Sequence, residues 1–145
     1  MITLIKYCFS RFYLLVYLFV FWLYKCKIFK SYDLNNMFVV SVGNLASGGA
    51  GKTPFVILLS KLLSKNNQKH FIVSRGYKKK DPGEVIVSDG QTLQSSPVLA
   101  GDEPYLLGGV LNRVPVIAGD KLRAILLAKK TFGLSTCIID DGFQT

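Results

Sequence analysis

The chain has 145 residues, half of them apolar, and a net charge of +9. That length supports one domain with at most an appendage, and that apolar share supports a packed core. The three cysteines, Cys8, Cys26 and Cys137, are odd in number, far apart and without a C-x-x-C pair. This argues against a disulfide framework or a zinc site and suits a reducing, cytoplasmic setting.

The charge is unevenly placed. The first 30 residues carry five basic groups (Lys6, Arg11, Lys25, Lys27 and Lys30) and no acid, whereas the other 115 carry 13 basic and nine acidic groups. Within that basic segment, residues 12–24 (FYLLVYLFVFWLY) contain no charge. As a helix this run would be about 20 Å long, short of the roughly 30 Å hydrocarbon core. With Arg11 and Lys25 snorkelling, and Tyr and Trp at interface depth, it can embed in one leaflet or lie in the interface. A cleaved signal peptide is the rival, but KCKIFK follows where small residues would be needed. Residues 1–30 are therefore predicted to be a membrane-anchoring helix. A nucleic-acid module is disfavoured, because the aromatics sit in an apolar run and are not interleaved with the basic residues. Residues 31–37 (SYDLNNM) read as a polar linker.

The stretch from Phe38 to Leu63 carries the clearest signal. β-formers come first (Phe38, Val39, Val40, Val42). A loop follows, Ala46-Ser47-Gly48-Gly49-Ala50-Gly51-Lys52-Thr53. An apolar segment of helical length begins at Pro54, and its apolar residues go nearly all round, so burial is predicted. Strand, glycine-rich loop and helix form the context of a phosphate-binding loop. Glycines let backbone N–H groups approach phosphate oxygens, and the helix directs its positive end at the same place. Lys52 would supply a mobile charge and Thr53 a hydroxyl for Mg²⁺. The usual first glycine is Ala46 here.

Further along, Phe71 to Ser74 reads as a short buried strand, with Arg75-Gly76-Tyr77 at its carboxyl end. Ligands of open α/β sheets gather there, so Arg75 either reaches an anion or is a surface arginine. Residues 84–88 alternate as a strand, and 91–100 read as polar and irregular. Gly101-Asp102-Glu103-Pro104 opens a helix through Leu111. Asp102 is either its N-cap or a carboxylate at the mouth of a site. Residues 114–118 (VPVIA) form another strand and Leu122 to Lys130 a helix, stopped by Gly133. The apolar strand 136–139 (TCII) runs into Asp140-Asp141, which fits a Mg²⁺ partner to the lysine loop or a plain turn. His70, the one histidine, is read as structural.

Four stretches in order, VGNLASGGAGKTP, SRGYK, GDEP and IIDDGFQ, resemble the N-terminal half of the tetraacyldisaccharide 4'-kinases, the lipid A 4'-kinases of Gram-negative bacteria. The resemblance runs from about Phe38 to the last residue, and that family's loop also tends to lack the first glycine. It implies an α/β, P-loop NTPase-like fold: a mostly parallel sheet flanked by helices, after a hydrophobic membrane-associated helix. Residues 38–145 would be an incomplete kinase domain, since the C-terminal part of the family fold is missing. The implied activity is transfer of the γ-phosphate of ATP to the 4'-hydroxyl of a tetraacylated glucosamine disaccharide 1-phosphate. The implied cofactors are ATP and Mg²⁺, the partners a lipid A precursor and the membrane surface, and the location the cytoplasmic face of the bacterial inner membrane. No nucleic acid is implied, and no protein partner is predictable.

Carried onto this chain, Lys52 and the backbone of Gly48 to Gly51 would hold phosphates, with Ala46, Ser47, Gly49 and Ala50 completing the loop. Thr53, Asp140 and Asp141 would face the metal, and Asp102 would help take the proton from the sugar hydroxyl. Arg75, Tyr77, Glu103 and Arg123 match positions near the site. Family members are considerably longer and add a histidine that partners the acid, so this chain is expected to bind nucleotide weakly and turn over poorly. The alternatives are a membrane-tethered nucleotide-binding fragment without turnover and a partitioning-type P-loop ATPase. The latter carries a lysine before the two glycines, where Ser47 stands here.

Overall fold

The computed structural model describes residues 2–26, 34–43, 51–76 and 83–141. The chain divides into two compact units, Met1–Asn35 and Asn36–Thr145. The first is built on α1 (Ile2–Lys25), a single 24-residue helix with no acidic residue in its first turn. Its described side chains from Phe12 to Tyr24 are exposed almost throughout. Among the described residues no helix is long and apolar enough to cross a membrane.

The second unit is an α/β layer structure. In chain order it contains β1 (Phe38–Val42), α2 (Lys52–Lys65), β2 (Phe71–Ser74), β3 (Val85–Asp89), α3 (Pro97–Ala100), α4 (Asp102–Val110), β4 (Pro115–Ala118), α5 (Lys121–Phe132) and β5 (Thr136–Asp140). The five strands form one sheet in the order β1-β5-β2-β4-β3. The first four run parallel, while β3 is an antiparallel edge strand against β4. A mostly parallel sheet flanked by helices is the architecture the alternating strand and helix patterns imply.

Side-chain alternation sorts the core into two layers. Val42, Ile72, Val116 and Ile138 join Val56 of α2 and Leu107 of α4 in one apolar cluster. The alternate residues Phe71, Val73, Ile117 and Cys137 are equally buried, and α5 packs against β2 and β4. β2 and β4 are buried along their whole length, which is why FIVS and VPVIA read as continuous apolar runs.

Local chemistry sets the helix ends. Asp120 Oδ1 accepts from the Arg123 backbone N–H at 3.1 Å and caps α5. Gly133, at φ 65, ends it in the left-handed conformation that glycine adopts freely. Gly51 is the N-cap of α2, also left-handed at φ 71, so a side chain here would be strained.

Three expectations are corrected. α2 is not buried all round: Phe55, Leu58 and Leu62 are about half exposed, while Val56 and Ser60 are buried on the side that packs against β5 and α4. Residues 97–100 are helical, not irregular; Pro97 opens the turn after Ser96. Asp102 is not the cap of α4. Gly101 occupies that position, and Asp102 stands inside the first turn. The structural reading of His70 is met. It is 2% exposed, its Nδ1 donates to the Gln68 carbonyl at 2.9 Å, and its Nε2 lies 2.7 Å from Ser60 Oγ. A carbonyl only accepts, so Nδ1 carries the proton of the neutral ring and Nε2 accepts from Ser60.

Candidate functional site

Because β1, β5, β2 and β4 are parallel, their carboxyl ends share one edge of the sheet. The segments leaving that edge carry most of the candidate residues. β1 leads toward Gly51, Lys52 and Thr53; β5 ends in Asp140 and Asp141; β2 ends before Arg75; β4 ends before Asp120 and Lys121. The Gly119 backbone N–H donates to the Ser74 carbonyl at 2.9 Å and ties the ends of β2 and β4 together.

The first and last strands are neighbours. Val42 pairs with Asp140 in the β1–β5 register, so the strand entering the glycine loop lies directly beside the acidic strand end. Asp140 falls on the α2 and α4 side of the sheet, in phase with Ile138. A continued strand would turn Asp141 to the opposite face. Instead Asp141 has φ 60, and this left-handed turn brings its carboxylate to the N-terminus of α2. There Lys52 Nζ donates to Asp141 Oδ1 in an ion pair, both side chains 21% exposed.

The electrostatics follow from this arrangement. The hydrogen bond to Asp141 holds the Lys52 ammonium above its ordinary pKa, against the opposing effect of burial; the charges of Asp141, Asp140 and Glu103 add to the rise. Asp140 is 1% exposed, and its Oδ2 has no partner among the described residues. Burial pushes its pKa up to about 6, reinforced by the negative charges of Glu103 and Asp141. A buried carboxylate with an orphaned oxygen beside a second carboxylate and a lysine is a candidate place for a cation and an anion together.

The helix starts complete the edge. Asp102 and Glu103 are exposed in the first turn of α4, and Glu103 is the one coupled to Lys52 and Asp140. Thr53, half-buried, follows Lys52 in the first turn of α2. Arg75 is exposed at the end of β2. Arg123 is exposed on α5, where its backbone N–H takes the Asp120 cap. Ala46, Ser47, Gly48, Gly49, Ala50 and Tyr77 lie outside the described residues.

Sequence reasoning passed over one residue. Lys121, the first residue of α5, feels the charges of Asp141, Arg75 and Asp120. Burial is the largest influence on it and lowers its pKa, with Arg75 pushing the same way. The signal was the cap: an Asp N-cap after a core strand places the next residue in the first helical turn, at the carboxyl edge of the sheet.

Residues 2–145 match the family described as tetraacyldisaccharide-1-P 4'-kinase. The chain belongs to that family. It is 47% identical over 107 residues to the tetraacyldisaccharide 4'-kinase of Aquifex aeolicus, covering 73% of this chain and 33% of that protein. It is 38% identical over 138 residues to the enzyme of that name from Wigglesworthia glossinidia brevipalpis, covering 95% of this chain and 37% of the other. A crystal structure of "apo" form LpxK from Aquifex aeolicus in complex with ATP is similar, with a TM-score of 0.80 at 42% identity. The match covers 94% of this chain and 42% of that one. The chain spans about a third of the length of the curated relatives it matches. Family membership sets aside the partitioning-type ATPase.

Proposed function

We propose that this chain carries the nucleotide side of an ATP-dependent kinase acting on the 4'-hydroxyl of a tetraacylated glucosamine disaccharide 1-phosphate, a lipid A precursor. One observation carries the reading: the Lys52–Asp141 ion pair beside buried Asp140, where the first and last strands meet. Family membership supports the reaction class, and the ATP complex of the Aquifex aeolicus relative supports the nucleotide.

The residues fit Mg²⁺ and a triphosphate. Among the described residues no cluster of three or more His, Cys, Asp or Glu could hold a metal alone. Asp140, Asp141 and the Thr53 hydroxyl offer hard oxygen ligands to an ion that keeps waters and phosphate oxygens in its shell. Bound MgATP supplies the phosphoryl group and spreads its charge over metal and protein. Lys52 exchanges Asp141 for phosphate oxygens, and the backbone of residues 48–51 lines the same anion. Asp102 accepts the proton of the sugar hydroxyl at its carboxylate. Arg75, Tyr77, Glu103 and Arg123 border the site. Positioning and charge, not covalent chemistry, are what such a reaction asks of the protein.

Residues 1–30 attach the chain to the cytoplasmic face of the inner membrane, with 31–37 as linker and 38–145 as the kinase domain. The exposed apolar surface of α1 and its lack of acids support this. A second reading, nucleotide binding without turnover, is favoured by the coverage of about a third of the relatives. Titration of the purified chain with ATP and Mg²⁺ by calorimetry, alongside phosphate transfer from labelled ATP to the disaccharide, tests both. Binding that Lys52→Ala abolishes is expected. Transfer decides for the enzyme and binding alone for the second reading; absence of ATP binding overturns both.

A further inference from the structure

The acids of the second unit gather at the carboxyl edge of the sheet, where Glu103, Asp120, Asp140 and Asp141 stand. The amino edge is basic. Lys65 closes α2, Lys129 and Lys130 close α5, and Lys69 and Arg113 sit in the loops leading into β2 and β4. Asp89 is the one acid there among the described residues, because β3 runs antiparallel and pairs Asp89 with Pro115 at the start of β4. A cavity of about 880 Å³ opens at this edge. Lys69, Arg113 and Asp89 line it, and Pro115, Phe132 and Leu134 give it an apolar part. Strands of four or five residues, about 13–17 Å long, lie between it and the edge that carries Lys52 and Asp141.

Lys65, Lys129 and Lys130 occupy last helical turns, where they oppose the negative helix ends. That role does not extend to Lys69 and Arg113. Both lie beyond the helices, and among the described residues neither side chain has a hydrogen-bond or ion-pair partner. Asp89 is engaged by its own loop. Its Oδ1 accepts from the Gln91 and Thr92 backbone N–H groups at 2.7 and 2.8 Å, and its Oδ2 from Gln94 Nε2 at 2.7 Å. The rim is set by backbone contacts. The Arg113 N–H donates to the Gly90 carbonyl at 2.6 Å, and Arg113 itself is left-handed at φ 63. Gly90, at φ 91, comes so close that a Cβ would meet the Arg113 carbonyl carbon at 3.0 Å.

We infer that this cavity is a second ligand site, for a small organic phosphate whose anionic group is held by Lys69 and Arg113 and whose apolar body rests on Phe132, Leu134 and Pro115. Two unpartnered cations match the double charge of a phosphate monoester, and arginine and lysine are the side chains suited to it. The volume decides for an organic body. It falls within the about 300–1,000 Å³ of small-molecule sites, far more than a bare phosphate fills. The apolar part of the lining gives that body a surface to cover. The site is independent of the nucleotide reading above, since it shares no residue with the Lys52 and Asp141 edge.

The probe is para-fluorophenyl phosphate, titrated against the whole chain and followed by fluorine NMR line broadening. Fluorophenol and inorganic phosphate are the comparison ligands, the second read by phosphorus NMR. The variants are Lys69→Gln with Arg113→Asn, Lys69→Gln alone, and Lys52→Ala. Asparagine tolerates the left-handed backbone at position 113, so the loop keeps its shape. The double variant is expected to bind the probe about tenfold or more weakly, as loss of charge-assisted hydrogen bonds requires, while Lys52→Ala binds it as the parent does. Lys69→Gln alone should show a smaller loss, and it carries the test if the double variant melts early. Loss of binding in Lys52→Ala would put the probe in the ATP site and overturn the second site, as would no binding to the parent or undiminished binding to the Lys69 variants. Fluorophenol binding as tightly as the probe would remove the cations from the site. Inorganic phosphate binding as tightly would remove the apolar part, and either result overturns the ligand class.

Discussion

The Lys52 ammonium and the Asp141 carboxylate form an ion pair although 89 residues of sequence separate them. The pair exists because β5, the last strand, is inserted beside β1, the first. Val42 and Asp140 share a register position, so the loop leaving β1 and the turn leaving β5 emerge together. α2 then returns Lys52 to the same edge. The sheet order thus brings Lys52, Asp140 and Asp141 together from strands far apart in sequence.

Asp141→Asn tests what that pair is for. Asparagine tolerates φ 60 as aspartate does, so the turn survives. Both side chains are partly solvent-exposed, and pairs of that kind contribute about 0–1 kcal/mol. The melting temperature is therefore expected to move by only a few degrees, roughly the response to such a change in a domain of this size. Affinity for ATP in Mg²⁺ is expected to fall at least about tenfold, since a charged contact is worth about 1.5–3 kcal/mol. A variant that loses stability but keeps its ATP affinity would assign the pair to the fold. Thermal shift and calorimetry on one preparation separate the two.

Asp140 gives the pH dependence. Its folded pKa of about 6 lies above the ordinary 3.8, mainly through burial. A carboxylic acid with a raised pKa binds its proton more tightly when folded. The native state is thus favoured at low pH, and the cost of charging the buried group accrues as pH rises from about 4 to about 6. Above that window the cost is constant and on the order of 2–3 kcal/mol. Asp140→Asn removes the charge at nearly constant volume. At pH 8, without ligand, the variant is expected to melt higher than the parent, and the gap should shrink as pH is lowered toward 4. Its ATP affinity in Mg²⁺ should be lost. A parent chain that melts higher than Asp140→Asn at pH 8 would contradict the burial argument.

Much of this was legible in the residues because strands buried on both faces read as unbroken apolar runs. FIVS is β2 residue for residue, and TCII ended in the acids that close β5. Strand order is not legible, because the pairing of β1 with β5 joins strands far apart in sequence, which no local pattern encodes. Phe55, Leu58 and Leu62 depart from the apolar pattern for a related reason: burial is a property of what packs against a helix, and among the described residues these three side chains are left half exposed. α3 was missed inside a polar stretch, although Ser96-Pro97 is a helix-start signal. Lys121 belongs to none of the motifs that carry the resemblance; its place follows from the Asp120 cap.

Ser60 and His70 form a buried pair, about two turns along α2 from Lys52. His70 Nε2 accepts from Ser60 Oγ, and both residues are essentially inaccessible to water. Ser60→Ala leaves the imidazole acceptor buried without a donor, which costs about 1–3 kcal/mol. A domain of this size should lose roughly 4–8 °C for each kcal/mol. Nucleotide affinity at a temperature where the variant is folded should not change. An equal effect on ATP binding would connect this pair to the site and contradict its structural assignment.

Lys121 and Arg123 separate geometry from motif. Both are basic and both lie in the first turn of α5, capped by Asp120. Lys121 is the one coupled to Asp141 and Arg75, and partial burial already lowers its pKa. Arg123 is exposed, and its backbone supplies the cap contact whatever its side chain. Lys121→Met keeps the length and removes the charge. If its ammonium helps hold the triphosphate, ATP affinity falls about tenfold or more, in line with a charge-assisted hydrogen bond. The same substitution leaves the Asp120 cap of α5 in place, so the helix should keep its start. Arg123→Ala should leave affinity within about twofold, as exposed charges at a rim do. Equilibrium titration with a fluorescent ATP analogue, at two salt concentrations, reads both. The reverse ranking, with Arg123→Ala costing more than Lys121→Met, would move the anion-binding edge one helical face away and overturn the assignment of Lys121.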